Sequence, residues 1–432
     1  MTPIVSGLML FIIFAIFTVR GLDSGYRTAT ALLPLGTAAI VIVGGLSVLT
    51  YSLCFLILIG LWLLQSVTDK RPKIRLEFVS FLVILLCVYS LIITLIGPRL
   101  FAGEIMVFSM DRNVVGYRIR QDVYSGLSPL VPTRGNISQL AYFIVTFGVF
   151  LMSLSLARKN GPEMIHKALI GAAIVNIALA AIDVAGGTAL LSIFQTATYS
   201  YQVDIQLLGV QRVTGGFSEA STFGGFTSVL TAYFIRVWFS SRDTLTGLLG
   251  AGNLFFGLLA LSSTFIVVIV GLTLVLSAQF LIYLARGKGI SKRSKPLALF
   301  TLLCSAGVAA VMVMTPAGPV AVDFLDHLIF SKSGSSSGFE RGRWAMRGLE
   351  IGAESYGLGI GLGSTRSNGI LSVWVSSFGL IGTFLILWIF KNLLFARASS
   401  FTTPEHTKYF NCLLYTSPSP RDQRGSRMPS SA

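Results

Sequence analysis

The chain has 432 residues, 53% of them hydrophobic and only 12% charged, with a mean hydropathy of +0.76. That is too apolar for a soluble protein of this length and defines a multi-pass membrane protein. The formal net charge of +15 would suggest nucleic acid for a soluble domain, but most of the basic residues lie in short loops between apolar stretches, the usual orientation signal, so nucleic acid is excluded as a partner.

A helix needs about 17 to 25 apolar residues to cross a bilayer. About eleven such runs occur: 2–19, 29–46, 48–66, 78–97, 139–157, 168–187, 220–240, 245–261, 264–285, 297–315 and 370–390. The second and third share one block divided at Gly44 and Gly45, and the eighth and ninth divide near Ser262 and Ser263. The expected fold is therefore an all-α multi-pass membrane protein with outward loops at 98–138, 188–219 and 316–369. The first run, Met1 to Val19, lacks a basic n-region and an A-x-A cleavage site and reads as a retained span. Cys54, Cys87 and Cys304 lie in apolar spans and Cys412 in a polar tail, so neither a disulfide framework nor a metal site is expected.

With the first terminus outside, 18 Lys and Arg residues fall inside before the tail and 11 outside, which fixes the orientation by the positive-inside rule. The two sets differ in kind: 8 of the 18 inward residues are Lys, whereas Lys332 is the one Lys among the outward 11. Arginine binds phosphate oxygens through a planar fork and stays charged, which a lysine point charge does not reproduce. Outward arginines therefore point to an anionic partner, and a phosphate-bearing lipid is the natural one. The competing reading is that they pair with acids such as Glu104, Glu340, Glu350 and Glu354 and merely hold the loops.

Taken in chain order, the loop 98–138 carries Arg118 and Arg120, alternating with Tyr117 and Ile119 as a short strand would, and then Arg134. Asn136-Ile-Ser138 matches the glycosylation acceptor pattern, a match too short to carry weight. The next constellation runs from Arg212 through Gly215, Gly216, Ser218 and Glu219 into the seventh span. Its glycines break the chain, Ser218 can cap a helix and Glu219 falls in the first turn. Glu219 there either complements the helix dipole or acts as a general base or hydroxyl-orienting group.

The loop 316–369 carries Glu340, Arg341, Arg343, Trp344 and Arg347, then a run with Gly357, Gly359, Gly361 and Gly363, then Arg366 and Asn368 ahead of the last span. Arg343 and Arg347 are spaced to share one face of a helix, with Arg341 and Trp344 on a neighbouring one. Glycines at every second position do not make a helix-packing stripe, whose spacing is four. They fit an extended or turning segment that lets backbone approach a ligand closely. A nucleotide site is a poor fit, because no strand precedes the run.

In the order and spacing of Arg212, Gly216 and Glu219, then Arg341 and Trp344, the glycine run, Asn368, and Phe378-Gly-Leu-Ile-Gly382, the chain resembles the bacterial O-antigen polymerase and O-antigen ligase family of multi-pass membrane glycosyltransferases. The resemblance covers about residues 205–390. It implies metal-independent and cofactor-free transfer of a glycan from an undecaprenyl-pyrophosphate carrier to an acceptor sugar hydroxyl or lipid-linked repeat unit, on the outer face of the bacterial inner membrane. By the same resemblance Arg212 and Arg341 hold the diphosphate, and Glu219 shapes the pocket or receives the acceptor proton. Arg343, Arg347, Arg366, Asn368, Gly359, Gly361, Gly363, Arg118 and Arg120 are then candidate substrate contacts.

The expected domains are residues 1–204, the N-terminal membrane helices; 205–390, the polymerase- or ligase-like core; 391–410, a cytoplasmic segment; and 411–432, a polar, aperiodic tail that reads as non-native readthrough. Family members continue into further spans. Ligases of the family carry a histidine just ahead of the last conserved span, where this chain has Asn368 and Gly369, and His166, His327 and His406 lie elsewhere. Polymerase is therefore the leading expectation and ligase the second. A secondary transporter or flippase for anionic solutes is the reading from another class. Such proteins bury ionisable groups or broken helices near mid-membrane and often show two related halves. Asp183 and Arg236 lie near span ends here, and no internal repeat is visible.

Overall fold

The computed structural model describes residues 2–43, 46–68, 78–109, 126–198, 206–207, 210–285 and 336–394. In chain order the elements are β1 (Thr2–Pro3), α1 (Val5–Val19), α2 (Leu22–Ala31), β2 (Ala39–Val43), β3 (Leu46–Leu49), α3 (Thr50–Thr68), α4 (Phe78–Leu100), β4 (Met106–Phe108), β5 (Leu127–Pro129), α5 (Arg134–Asn160), α6 (Glu163–Val184) and α7 (Thr188–Ser192). They continue with β6 (Gln206–Leu207), β7 (Val210–Gln211), α8 (Ala220–Ser241), α9 (Thr244–Leu259), α10 (Ser263–Ala285), α11 (Ser336–Glu354) and α12 (Ile370–Leu394). Five of these helices, α3, α4, α5, α6 and α12, are long and apolar enough to cross a membrane. The expected span 297–315, Arg118, Arg120 and the tail 411–432 lie outside the described residues.

One expected span is not a helix. The run 29–46 contains only the end of α2, a turn and β2, which pairs antiparallel with both β1 and β3. Pro34 and Gly36 interrupt the helix, and the β-branched stretch Ile40, Val41, Ile42 and Val43 favours the pleated form. The register Thr2↔Ile42 and Pro3↔Val41 returns the chain to the level at which it began.

The chain divides into two compact units, one of residues 1–64, 156–329 and 397–432, the other of residues 65–155 and 330–396. In the first, Leu230, Tyr233, Phe234 and Val237 of α8 pack with Ala173 of α6 and Leu249 of α9. This apolar core encloses a polar strut. Asn176 donates to Thr227 Oγ1 at 3.0 Å and to Asn253 Oδ1 at 2.9 Å, and Asn253 donates to the Leu249 carbonyl at 2.8 Å. Buried amides between apolar helices persist only when so satisfied, and they then fix the rotation of each helix.

In the second unit, Leu82, Val83 and Leu86 of α4 pack on Phe378, Leu385, Ile386 and Ile389 of α12, with Phe143 and Phe147 of α5 against them. α12 is interrupted at Gly379, whose φ of 64° and ψ of −163° are not helical. Such a break frees backbone groups inside an apolar element, and they need partners. The glycine run supplies them: Ile360 and Gly361 donate to the carbonyls of Ser376 and Ser377 at 2.8 and 3.0 Å, and Leu380 donates to the Gly357 carbonyl at 2.8 Å.

Candidate functional site

The predicted residues of the first unit lie on one loop. Arg212 follows β7, and Val213 to Phe217 are buried before α8 begins. Four neighbouring segments hold this loop. Asp183, buried at the end of α6, accepts from the backbone N–H of Thr214 at 2.7 Å and of Gly215 at 2.8 Å, and from the Thr214 hydroxyl at 3.2 Å. Gln195 donates to the Gly215 carbonyl at 3.1 Å and the Thr37 hydroxyl to the Gly216 carbonyl at 3.0 Å. At the end of α9, Leu259 accepts from the Val213 N–H at 3.3 Å.

Arg212 is half-buried, and its Nε donates to the Ala260 carbonyl at 3.2 Å. Glu219 is the N-cap of α8, one position earlier than expected, and Ser218 precedes the cap. Its Oε1 accepts from the hydroxyls of Ser221 at 2.5 Å and Thr222 at 3.1 Å, both in the first turn of the same helix. A carboxylate held by hydroxyls at a helix N-terminus is favourably placed in the dipole field and is aimed by its own helix. In sequence Asp183 reads only as an acid near a span end, with no role in the site. An acid at a helix C-terminus opposes the dipole, so its presence there signals a compensating set of N–H donors.

In the second unit the loops expected to share one face do interlock. Asn136, at the start of α5, donates to the Leu362 carbonyl at 2.7 Å and the Ser364 hydroxyl at 2.9 Å, while its Oδ1 accepts from the Thr133 N–H at 2.7 Å. Asn136 thus caps the start of α5 from within its first turn and also anchors the glycine run, and no glycan could be added to an amide so engaged. Arg366 donates its backbone N–H to the Phe108 carbonyl at 2.7 Å, and Arg347 Nε donates to the Met106 carbonyl at 2.8 Å. Strand β4 thus joins the loop before α5 to α11 and to the segment after it.

The predicted arginines of this unit divide into two kinds. Arg347 grips Glu354 with both terminal nitrogens, at 2.6 and 2.7 Å, and Glu350 with one, at 2.9 Å. Burial acts to lower its pKa, but hydrogen bonds and charge from Glu354 and Glu350 outweigh this and raise it. Its fork is occupied, so Arg347 is a structural arginine and not a substrate contact. Arg343 and Arg366 are half-buried over aromatic faces, Arg343 5.4 Å from the Phe108 ring centre and Arg366 5.9 Å from that of Trp344. Among the described residues no carboxylate is bonded to either. Arg341 and Asn368 are exposed.

The glycines approach the protein itself. Gly357, Gly359, Gly361 and Gly363 all have positive φ, from 71° to 82°. What they approach is the protein's own backbone. A Cβ on Gly359 would lie 2.4 Å from Gly379 N, one on Gly361 2.6 Å from Thr94 Cα, and one on Gly363 2.6 Å from the Gly135 carbonyl oxygen. Gly359, Gly361 and Gly363 therefore lock the loop against α4, α5 and α12. A second glycine pair, Gly348 and Gly352, does have the helix-packing spacing of four. A Cβ on Gly348 would lie 2.1 Å from the Ser372 hydroxyl and one on Gly352 2.2 Å from Val375 Cγ1, so α11 packs closely beside the start of α12.

Among the described residues there is no group of His, Cys, Asp or Glu side chains able to hold a metal ion. His166 is buried, with Nδ1 3.1 Å from the Tyr233 hydroxyl, and belongs to the core between α6 and α8. The apolar helices and their span lengths define a helical membrane protein. Comparison with protein-family models, with curated proteins and with solved structures finds no match to this chain.

Proposed function

We propose that the protein is a polymerase of lipid-linked polysaccharide repeat units. It transfers a glycan from undecaprenyl pyrophosphate to an acceptor sugar hydroxyl at the outer face of a bacterial inner membrane. The acceptor oxygen attacks the anomeric carbon and the bond from that carbon to the phosphate oxygen breaks. The diphosphate leaves with the electron pair. Arg212 holds the diphosphate and offsets its charge, and Glu219 takes the acceptor proton. The second unit by itself offers Arg341, Arg343, Arg366 and Asn368 to phosphate or glycan hydroxyls. A charged hydrogen bond of this kind contributes roughly 1.5–3 kcal/mol net, so a few donors aimed at the leaving group lower the barrier usefully.

The observation that carries this reading is the Arg212–Glu219 loop. A cation and a carboxylate are presented from one buried segment whose backbone is held by Asp183, Thr37, Gln195 and Leu259. Preorganisation of this kind suits groups that act on developing charge. Ligase activity toward lipid A core or another acceptor remains the second reading within the same chemistry. A transporter would find its sign in the broken helix α12. Yet the carbonyls freed at that break, Ser376 and Ser377, already accept from Ile360 and Gly361, which leaves them unsuited to a transported solute.

The test is complementation of a polymerase-null strain, with surface glycan resolved on a gel. The wild-type chain restores the ladder, and Arg212→Ala and Arg341→Ala each abolish it while the protein stays in the membrane. Long lipid-linked polymer that never reaches the core in a strain lacking this gene would instead assign the ligase reaction. A normal chain-length distribution in both variants would sink the proposal.

A further inference from the structure

Helix α11 is long and not among the candidate spans, yet it exposes large apolar side chains. Phe339 is 57%, Met346 61% and Leu349 41% exposed. At about 100° per residue these three fall within an arc of about 80°, which also takes in Gly342 and the exposed Ala353. The opposite side of the helix is its packing face: Gly348 and Gly352 meet Ser372 and Val375 of α12, and Ile351 is fully buried. The charged residues Arg343, Arg347, Glu350 and Glu354 lie along one flank of the apolar stripe, the first over Phe108 and the other three bonded together.

The contacts of Gly348 with Ser372 and Gly352 with Val375 show the C-terminal half of α11 running alongside the first turns of α12 in the same direction. α12 is one of the helices fitted to cross the membrane, and it exposes Ile370, Leu371 and Val373 at that same level. The C-terminal half of α11 therefore lies at the level where the apolar surface of α12 begins, and its N-terminal half projects beyond. Arginines on such a flank reach headgroup level while apolar neighbours enter the acyl boundary.

We infer that the Met346 and Leu349 part of the α11 stripe is a lipid-binding surface, seated in the interfacial layer of the leaflet at the Ile370 end of α12. Its occupant is the acyl chains of bilayer lipids. The inference rests on the membrane character of α12 and not on the polymerase reading, so loss or retention of polymer in the arginine variants leaves it unaffected.

The experiment uses the full chain, with its native cysteines replaced, carrying one cysteine at Met346→Cys, Leu349→Cys or Arg341→Cys. Each is labelled with an environment-sensitive fluorophore and reconstituted in phosphatidylcholine–phosphatidylglycerol vesicles. The Met346 and Leu349 labels should lose about half their emission to nitroxide-bearing lipid and little to aqueous iodide; the Arg341 label should show the reverse. In the unaltered protein, hydroxyl-radical oxidation of Met346 should be slow in vesicles and rise several-fold when lipid is stripped away, which covers the case of a labelled variant that does not fold. Iodide quenching of the Met346 and Leu349 labels would overturn the inference. So would insensitivity to both quenchers, which would assign the stripe to a protein partner.

Discussion

Removing the Asp183 carboxylate tests whether the Arg212–Glu219 loop is held in advance or shaped by substrate. One oxygen, Oδ2, accepts all three hydrogen bonds: from Thr214 N, Gly215 N and the Thr214 hydroxyl. Asp183 is only 6% exposed and Thr214 0%, so water cannot replace the lost acceptor without rearrangement. Asp183→Ala leaves two buried N–H groups unpaired at about 1–3 kcal/mol each, for a loss of roughly 2–6 kcal/mol. Asp183→Asn can turn its amide oxygen to the same place and keep the bonds as neutral ones, at a cost of about 1–3 kcal/mol. Thermal unfolding in detergent should therefore rank wild type above Asn and Asn above Ala. Polymer made in the complementation assay should fall in the same order. If Asp183→Ala matched wild type in both measurements, the loop would owe nothing to this carboxylate and the argument from preorganisation would fail.

Two further outcomes follow from the second unit. Arg347→Ala should lower stability by about 1–3 kcal/mol, because it strands Glu354 and the Met106 carbonyl, and Arg347→Lys should restore only part of this for want of a planar fork. The exposed Arg341→Ala should change stability by less than about 0.5 kcal/mol, so a comparison of melting curves separates the structural arginine from the free one. Gly361→Ala should cost about 2–5 kcal/mol, since it adds left-handed strain to a Cβ 2.6 Å from Thr94 Cα, whereas Gly357→Ala, whose nearest neighbours are Leu380 side-chain atoms at 3.3 Å, should cost about 1–2 kcal/mol. Equal losses at the two positions would show that close backbone approach is not what demands glycine there.

Length and apolar composition located most of the helices, because a bilayer imposes both on any spanning segment. They misread 29–46, since an uninterrupted apolar run has no period that separates strand from helix; only Pro34, Gly36 and the cluster of β-branched residues carried that information. The alternating glycines were recognised as something other than a helix stripe, and their positive φ values agree. What they approach was not legible, because the partners are backbone atoms of Thr94, Gly135 and Gly379, which leave no mark in side-chain chemistry. Asp183 escaped for the same reason, its donors being mainly main-chain N–H groups of another segment. The Gly348 and Gly352 pair was in plain view at the spacing of four, passed over because the arginines around it drew the reading toward ligand binding.

The preference for arginine over lysine in the loops expected to face outward acquires two separate causes. At Arg347 the planar fork serves the protein, bridging Glu350, Glu354 and the Met106 carbonyl in a way an ammonium could not. At Arg343 and Arg366 the same planarity lets the cation lie on Phe108 and Trp344. A guanidinium resting on a ring keeps its full charge and its in-plane N–H donors, whereas one bonded to carboxylates has neither to offer. Composition alone would count all three arginines toward an anionic partner. The structure removes Arg347 from that count and leaves Arg343 and Arg366, beside the exposed Arg341, for the proposed phosphate-bearing lipid.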